Sequence, residues 1–153
     1  MKHALTVLIA FALATSASIA EMRHVGDFML VSRSKLTGDK HQPMPIKPMV
    51  FHVSTDGVHV QVKLDDNEEA NIFHVYASEG IGRLNKDSNT LEIVPGIQAS
   101  SNKGGVLRHL RLTTDEMTIT TFPARSDQAV VIHAVATDKN KPVAQTSNPP
   151  NEP

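Results

Sequence analysis

Seven histidines follow residue 20: His24, His41, His52, His59, His74, His109 and His133. Imidazole is the commonest metal ligand in proteins, so this supply raises metal chemistry first. His52 and His59 stand on either side of Asp56-Gly57, a dipeptide that turns a chain back on itself. A two-residue turn there makes them a diagonal pair on one sheet face, about 7–8 Å apart. They are the candidate copper or zinc ligands. A third ligand is needed, and His74 or His109 supplies it only if folding brings one close. The spacing contains none of the specific metal motifs, so the same imidazoles also fit the wet face of a sheet. His133, among Val131, Ile132 and Val135, reads as a core or cavity-lining residue. A second candidate is His41 with Met44 and Met49, whose thioethers suit Cu(I). Pro43, Pro45 and Pro48 make that run a connecting loop before anything else.

Other constellations carry less chemistry. Asp65-Asp66-Asn67-Glu68-Glu69 is rich in oxygen ligands but lacks the spacing and central glycine of a calcium loop. Arg108 and Arg111 flank His109 without a phosphate-binding context, and no helix is expected after Gly104-Gly105. There is no Gly-x-Ser-x-Gly elbow. Cysteine is absent, which removes disulfides, thiol nucleophiles and cysteine-zinc sites. The formal charge is −1 over 153 residues and aromatics make up 4%, a poor basis for holding nucleic acid. These features predict a protein that is not an enzyme, carries no cofactor and binds no nucleic acid.

Residues 1–20 read as a secretory signal peptide. Met1-Lys2-His3 is a short positive start, Ala4 to Ala14 is almost unbroken apolar sequence, and Ser18 and Ala20 give the small-x-small cleavage pattern. The apolar run is shorter than the ~20 residues a membrane-spanning helix needs. The expectation is an exported chain, periplasmic or extracellular, with no integral membrane segment after cleavage. Residues 138–153, rich in Pro and Asn, read as a disordered tail. The folded domain is then 21–137.

Within that domain the dominant signal is alternation of apolar and polar residues. Strands are predicted over 26–35, 49–64 (a hairpin), 71–77, 91–94, 106–113, 117–122 and 128–137, with a turn-rich stretch at 79–90. In the first hairpin a turn at Asp56-Gly57 pairs Val53 with Val60 and Phe51 with Val62. In the second, across Thr114-Asp115, Leu110 faces Ile119 and Leu112 faces Met117. No segment from 21 to 137 shows a helical period. The fold class is therefore all-β, an antiparallel meander of about eight strands. Closure into a barrel removes exposed edges, and a two-sheet sandwich is the alternative.

Gly26, Phe28, Leu30, Val31 and Ser32, then Pro43, Pro45 and Pro48, then Asp56-Gly57 resemble the opening of bacterial lipocalin-like domains. Those begin Gly-x-Trp, continue through a Leu-Val-Ser strand and a proline-bearing loop, and return at an Asp-Gly turn. Phe28 stands where they have Trp, and His133 to Thr137 lacks their closing Trp and Arg. The resemblance implies an eight-stranded barrel with an apolar ligand inside. The expected function is a non-enzymatic binding module for a small, partly apolar ligand among Phe51, Val53, Val60, Val62, Leu110 and Ile119. A structural or protein-interaction domain and a His/Met metal binder are the alternatives, and a filled interior would favour the interaction protein. Composition leaves the oligomeric state open.

Overall fold

The structure, a computed structural model, describes residues 20–137 apart from Asp66, Glu68 and Lys86. The expected signal peptide, up to residue 19, and the expected tail lie outside the described residues. Eleven strands follow in order: β1 (Arg23–Thr37), β2 (Lys40–Pro43), β3 (Val50–Thr55), β4 (His59–Leu64), β5 (Asn71–Ala77), β6 (Ile81–Asn85), β7 (Thr90–Val94), β8 (Gly96–Lys103), β9 (Val106–Thr113), β10 (Glu116–Phe122) and β11 (Gln128–Ala136). Among the described residues there is no helix.

Eight of these strands close on themselves. The order is β11-β10-β9-β8-β5-β4-β3-β1, every pairing is antiparallel, and β1 also pairs with β11. The result is a closed barrel rather than a sandwich. β2 lies outside it, paired with the end of β1, and β6 and β7 form a separate two-stranded sheet.

Alternation places one apolar set inside. Phe28, Val53, Val60, Phe73, Leu110 and Met117 are almost completely buried and form one cluster with Phe51, Val62, Leu112, Ile119, Ala99 and Ala134. Burying a large apolar side chain contributes about 1.5–3 kcal/mol, so this set holds the barrel shut without disulfides. β1 serves two neighbours in succession: its first half pairs with β3 and its second half with β2. A bulge at Val31, between Leu30 and Ser32, shifts its register against β11.

The second hairpin has the expected register, with Leu110 opposite Ile119 and Leu112 opposite Met117. The first does not. Val53 faces Val62 and Phe51 faces Leu64, a slip of two residues. Thr55 pairs with Val60, and the central turn residues are Gly57 and Val58 rather than Asp56 and Gly57. Asp56 is the reason. Its Oδ1 accepts the backbone N–H groups of Val58 (2.8 Å) and His59 (2.6 Å), so it caps the turn from outside. Gly57, at φ +88°, takes the left-handed position that a two-residue turn of this kind requires. A slip of two residues preserves which face each side chain occupies, so the apolar sorting survives.

Three strands lie where none was expected. β2 is four exposed residues beside the proline-rich loop. β6 occupies part of the turn-rich stretch. β8 closes the barrel with mostly small or polar residues, of which Ile97 and Ala99 pack inward.

Candidate functional site

The barrel interior is filled by side chains. Of the six residues expected to line a ligand site, Val53, Val60 and Leu110 are 0% exposed and form a packed floor. Phe51, Val62 and Ile119 lie above that floor. With Leu64, Asn71, Phe73, Thr121 and Ile132 they line a cavity of about 110 Å³ at one mouth of the barrel. This is the end at which β3, β5, β9 and β11 begin. Two larger depressions are also present. One of about 550 Å³ is bounded by the consecutive residues Val75 to Gly80, and one of about 380 Å³ lies between Lys47–Met49 and the residues Leu64, Asp65 and Asn67.

Arg108 completes the lining of the mouth cavity. It shares a strand face with Leu110 and Leu112, and it pairs with Thr121 on β10 and Ser101 on β8. Its side chain is half-buried, and among the described residues no carboxylate stands within ion-pair distance. Lys103 is a useful contrast on the same rim. Its Nζ meets Glu69 Oε1 at 2.8 Å, and that ammonium holds the Glu69 carboxyl below its ordinary range. Lys35 also belongs to this face, since β1 pairs it with Val130, which alternates with the core-packed Ile132. The mouth is therefore an apolar cavity under a cationic rim. Alternation in Val106-Leu107-Arg108-His109-Leu110 puts Arg108 in phase with Leu110, and that was the sequence signal for it.

The histidines are distributed over the outside. His52 and His59, expected as a diagonal pair, are separated by the two-residue slip: His52 lies opposite Lys63, and His59 closes the turn beside Asp56. Each has its own partners. His52 Nδ1 binds Asp27 Oδ1 at 2.8 Å, and its Nε2 contacts Asp65 Oδ1. Carboxylates accept and do not donate, so both ring nitrogens must carry protons for both bonds to form. The hydrogen bonds to Asp27 and Asp65 accordingly raise the pKa of His52 above 6.5. His24 Nε2 lies 3.3 Å from the same Asp27 oxygen.

His59 and His74 are direct cross-strand partners on β4 and β5, with ring centroids 4.9 Å apart. His59 Nδ1 is 3.0 Å from Asp56 Oδ2. The His59 ring and the His59 and Val58 backbone N–H groups hold Asp56 down to about 2. His109 stacks on Tyr76 at 5.8 Å, with the Tyr76 hydroxyl against its Nε2. Burial and the Arg111 charge lower the pKa of His109. His133 corrects its expected core position: it faces outward with Thr118, while Ala134 and Ile132 turn in. His41 sits on the exposed β2, and Met49 is exposed. Among the described residues no group of three or more His, Asp or Glu side chains is placed to hold a metal.

The β6–β7 hairpin stands apart from both sites. Leu84 and Leu91 pair across it, and Gly82 pairs with Ile93, so one face is wholly apolar. That face is open to solvent: Leu84 is 56%, Leu91 73% and Ile93 72% exposed. The other face is pinned by buried Ile81 over Gly96, by Arg111 donating to the Gly82 carbonyl (2.7 Å) and by Arg83 near Asp115 (3.9 Å). Comparison of the chain with protein-family models, curated proteins and solved structures finds no match, so the architecture and these side chains carry the functional argument.

Proposed function

We propose that this chain is an exported, non-enzymatic binding barrel. It holds a small amphiphilic anion at its mouth, apolar end in the cavity and anionic end against Arg108. The observation that carries the reading is a half-buried guanidinium over apolar side chains with no carboxylate in reach among the described residues. Burying a charge without a partner costs free energy, and an anionic ligand offsets that cost. Arginine suits the role because its planar fork engages a carboxylate or phosphate through two parallel hydrogen bonds. Asn71 and Thr121 on the rim add polar contacts.

Size narrows the ligand. The cavity of about 110 Å³ is below the ~300–1,000 Å³ of sites that enclose a whole drug-sized ligand. It is also smaller than the ~150 Å³ void that admits benzene. It accepts a few carbon atoms, the end of a short aliphatic chain, with the rest of the ligand outside. Export rests on the apolar leader of residues 4–14 and its small-x-small end. The barrel topology agrees with the lipocalin-like resemblance of residues 26–62.

Titration with butanoate and hexanoate, followed by amide chemical shifts, tests this reading. Shifts centred on Asn71, Arg108, Thr121 and Ile132 are expected, with weaker binding in Arg108→Gln. Equal binding of the acids and the uncharged alcohols of the same length, or shifts centred elsewhere, would sink it.

A second reading, an interaction module, draws on the filled interior and on the apolar face of Leu84, Leu91 and Ile93. Sedimentation velocity over a range of concentrations addresses self-association through that face. Association that Leu91→Asp removes supports it, and a monomer at every concentration counts against pairing between copies.

A further inference from the structure

The geometry points to a cation site formed by His59 and His74 on the outer face of the barrel, for a divalent transition metal that takes nitrogen ligands. It is independent of the mouth and of the ligand proposed there.

Directly opposed residues on an antiparallel pair have Cβ atoms about 4.5–5.5 Å apart, and β4 and β5 oppose these two. Their ring centroids are 4.9 Å apart, with the planes at 67°. Two imidazoles on one tetrahedral ion, at metal–nitrogen bonds of about 2.0–2.1 Å, put their centroids about 5 Å apart. The rings thus already have the separation that a shared ion imposes.

Asp56 supplies an independent observation. Its Oδ2 accepts from His59 Nδ1 at 3.0 Å, so in the neutral ring the proton sits on Nδ1 and the lone pair on Nε2. Carboxylate–histidine pairs of this kind fix the tautomer and raise ligand basicity in metal sites. Asp56 is itself held by two backbone N–H groups, which fixes the direction from which it grips the ring. Neither nitrogen of His74 is engaged by another described residue. His59 is 34% exposed and His74 is on the solvent face, so an ion can reach both.

The other described imidazoles mark the distinction. Both nitrogens of His52 face carboxylates, and Nε2 of His109 faces the Tyr76 hydroxyl. His59 and His74 combine adjacency with open nitrogens. The protein supplies two ligands, and among the described residues no third His, Asp or Glu completes the set. Water fills the remaining positions, which makes the site open rather than structural.

Zinc(II) is the probe. Isothermal titration should give one zinc per chain, and the imidazole resonances of His59 and His74 should shift together with a single dissociation constant. His59→Ala and His74→Ala should each weaken binding at least about tenfold, and His52→Ala should leave it unchanged. Asp56→Asn should weaken it by about 10-fold or more, as loss of an orienting partner does. Both histidines are surface residues, so the alanine variants should keep the native amide spectrum. Undiminished zinc binding in His74→Ala, or zinc-dependent shifts centred on His52 or His109, would overturn the proposal.

Discussion

The barrel and the β6–β7 hairpin follow the same alternation of apolar and polar residues and reach opposite outcomes. In the barrel the apolar set of Phe28, Val53, Val60, Phe73, Leu110 and Met117 faces other strands of the same sheet and loses its water. In the hairpin Leu84, Leu91 and Ile93 are sorted onto one face just as cleanly, but a two-stranded ribbon has no opposite wall. Sorting is local, whereas burial depends on whether the sheet closes. A lone hairpin of this size is marginal in water, so β6–β7 depends on its anchors to β8 and β9.

The largest expected effect lies in the barrel. Phe73→Ala should cost about 3–5 kcal/mol in urea unfolding, because a rigid closed interior cannot collapse into the space left behind. A cost below about 1 kcal/mol would mean the interior is looser than its burial implies.

Gly96→Ala should come next, at about 1–3 kcal/mol. A Cβ there would lie 2.7 Å from Ile81 Cδ1 and 2.7 Å from the Leu112 carbonyl oxygen, and the latter is backbone and cannot swing aside. Hydrogen exchange should quicken in β6 and β7 before it does so in the barrel. Uniform loss of protection across all strands would show that hairpin and barrel unfold as one unit.

A smaller effect is expected at the clasp of Asp27, His52 and Asp65, which ties β1, β3 and the segment after β4 together. The folded pKa of His52 is raised above 6.5. Its contribution to stability is therefore complete below 6.5 and is lost as the pH rises through the folded value. Unfolding midpoints across that range should converge for wild type and His52→Gln at the alkaline end. A gap that widened instead would give the linkage the wrong sign.

The smallest effect belongs to the hairpin's exposed face. Leu91→Thr should change stability by no more than about 0.5 kcal/mol, since Leu91 is already 73% exposed. A loss of several times that would mean a covering surface exists in solution, which the same variant's sedimentation behaviour would reveal.

Much of this was legible in the residues. The alternation delimits Asn71–Ala77 and Val106–Thr113 as strands to the residue, and the β9–β10 register follows from two apolar pairs across Thr114-Asp115. The β3–β4 faces were right while the pairing was off by two, because alternation repeats every two residues and cannot distinguish registers of the same parity. β8 was invisible since Ser100, Ser101, Asn102 and Lys103 carry little apolar signal. For the candidate sites, the phase of Arg108 with Leu110 was in the sequence, but an arginine at an inward position reads at first as a solvated one. The pairing of His59 with His74 instead of His52 was not legible, because it depends on how β4 meets β5 across the six residues 65–70 that separate them.

Alternation and turn chemistry by themselves determined that this chain forms antiparallel strands with one greasy face, since side-chain direction along a strand is fixed by backbone geometry. Tertiary structure alone decided that β1 meets β11 and closes the sheet, that apolar side chains from all eight barrel strands meet inside it, that Arg108 stands over a cavity at one mouth, and that the hairpin's apolar face is left in water. Those outcomes depend on contacts between residues far apart in the chain, and their strength is set by packing volume and by pairing between distant strands, which no local pattern encodes.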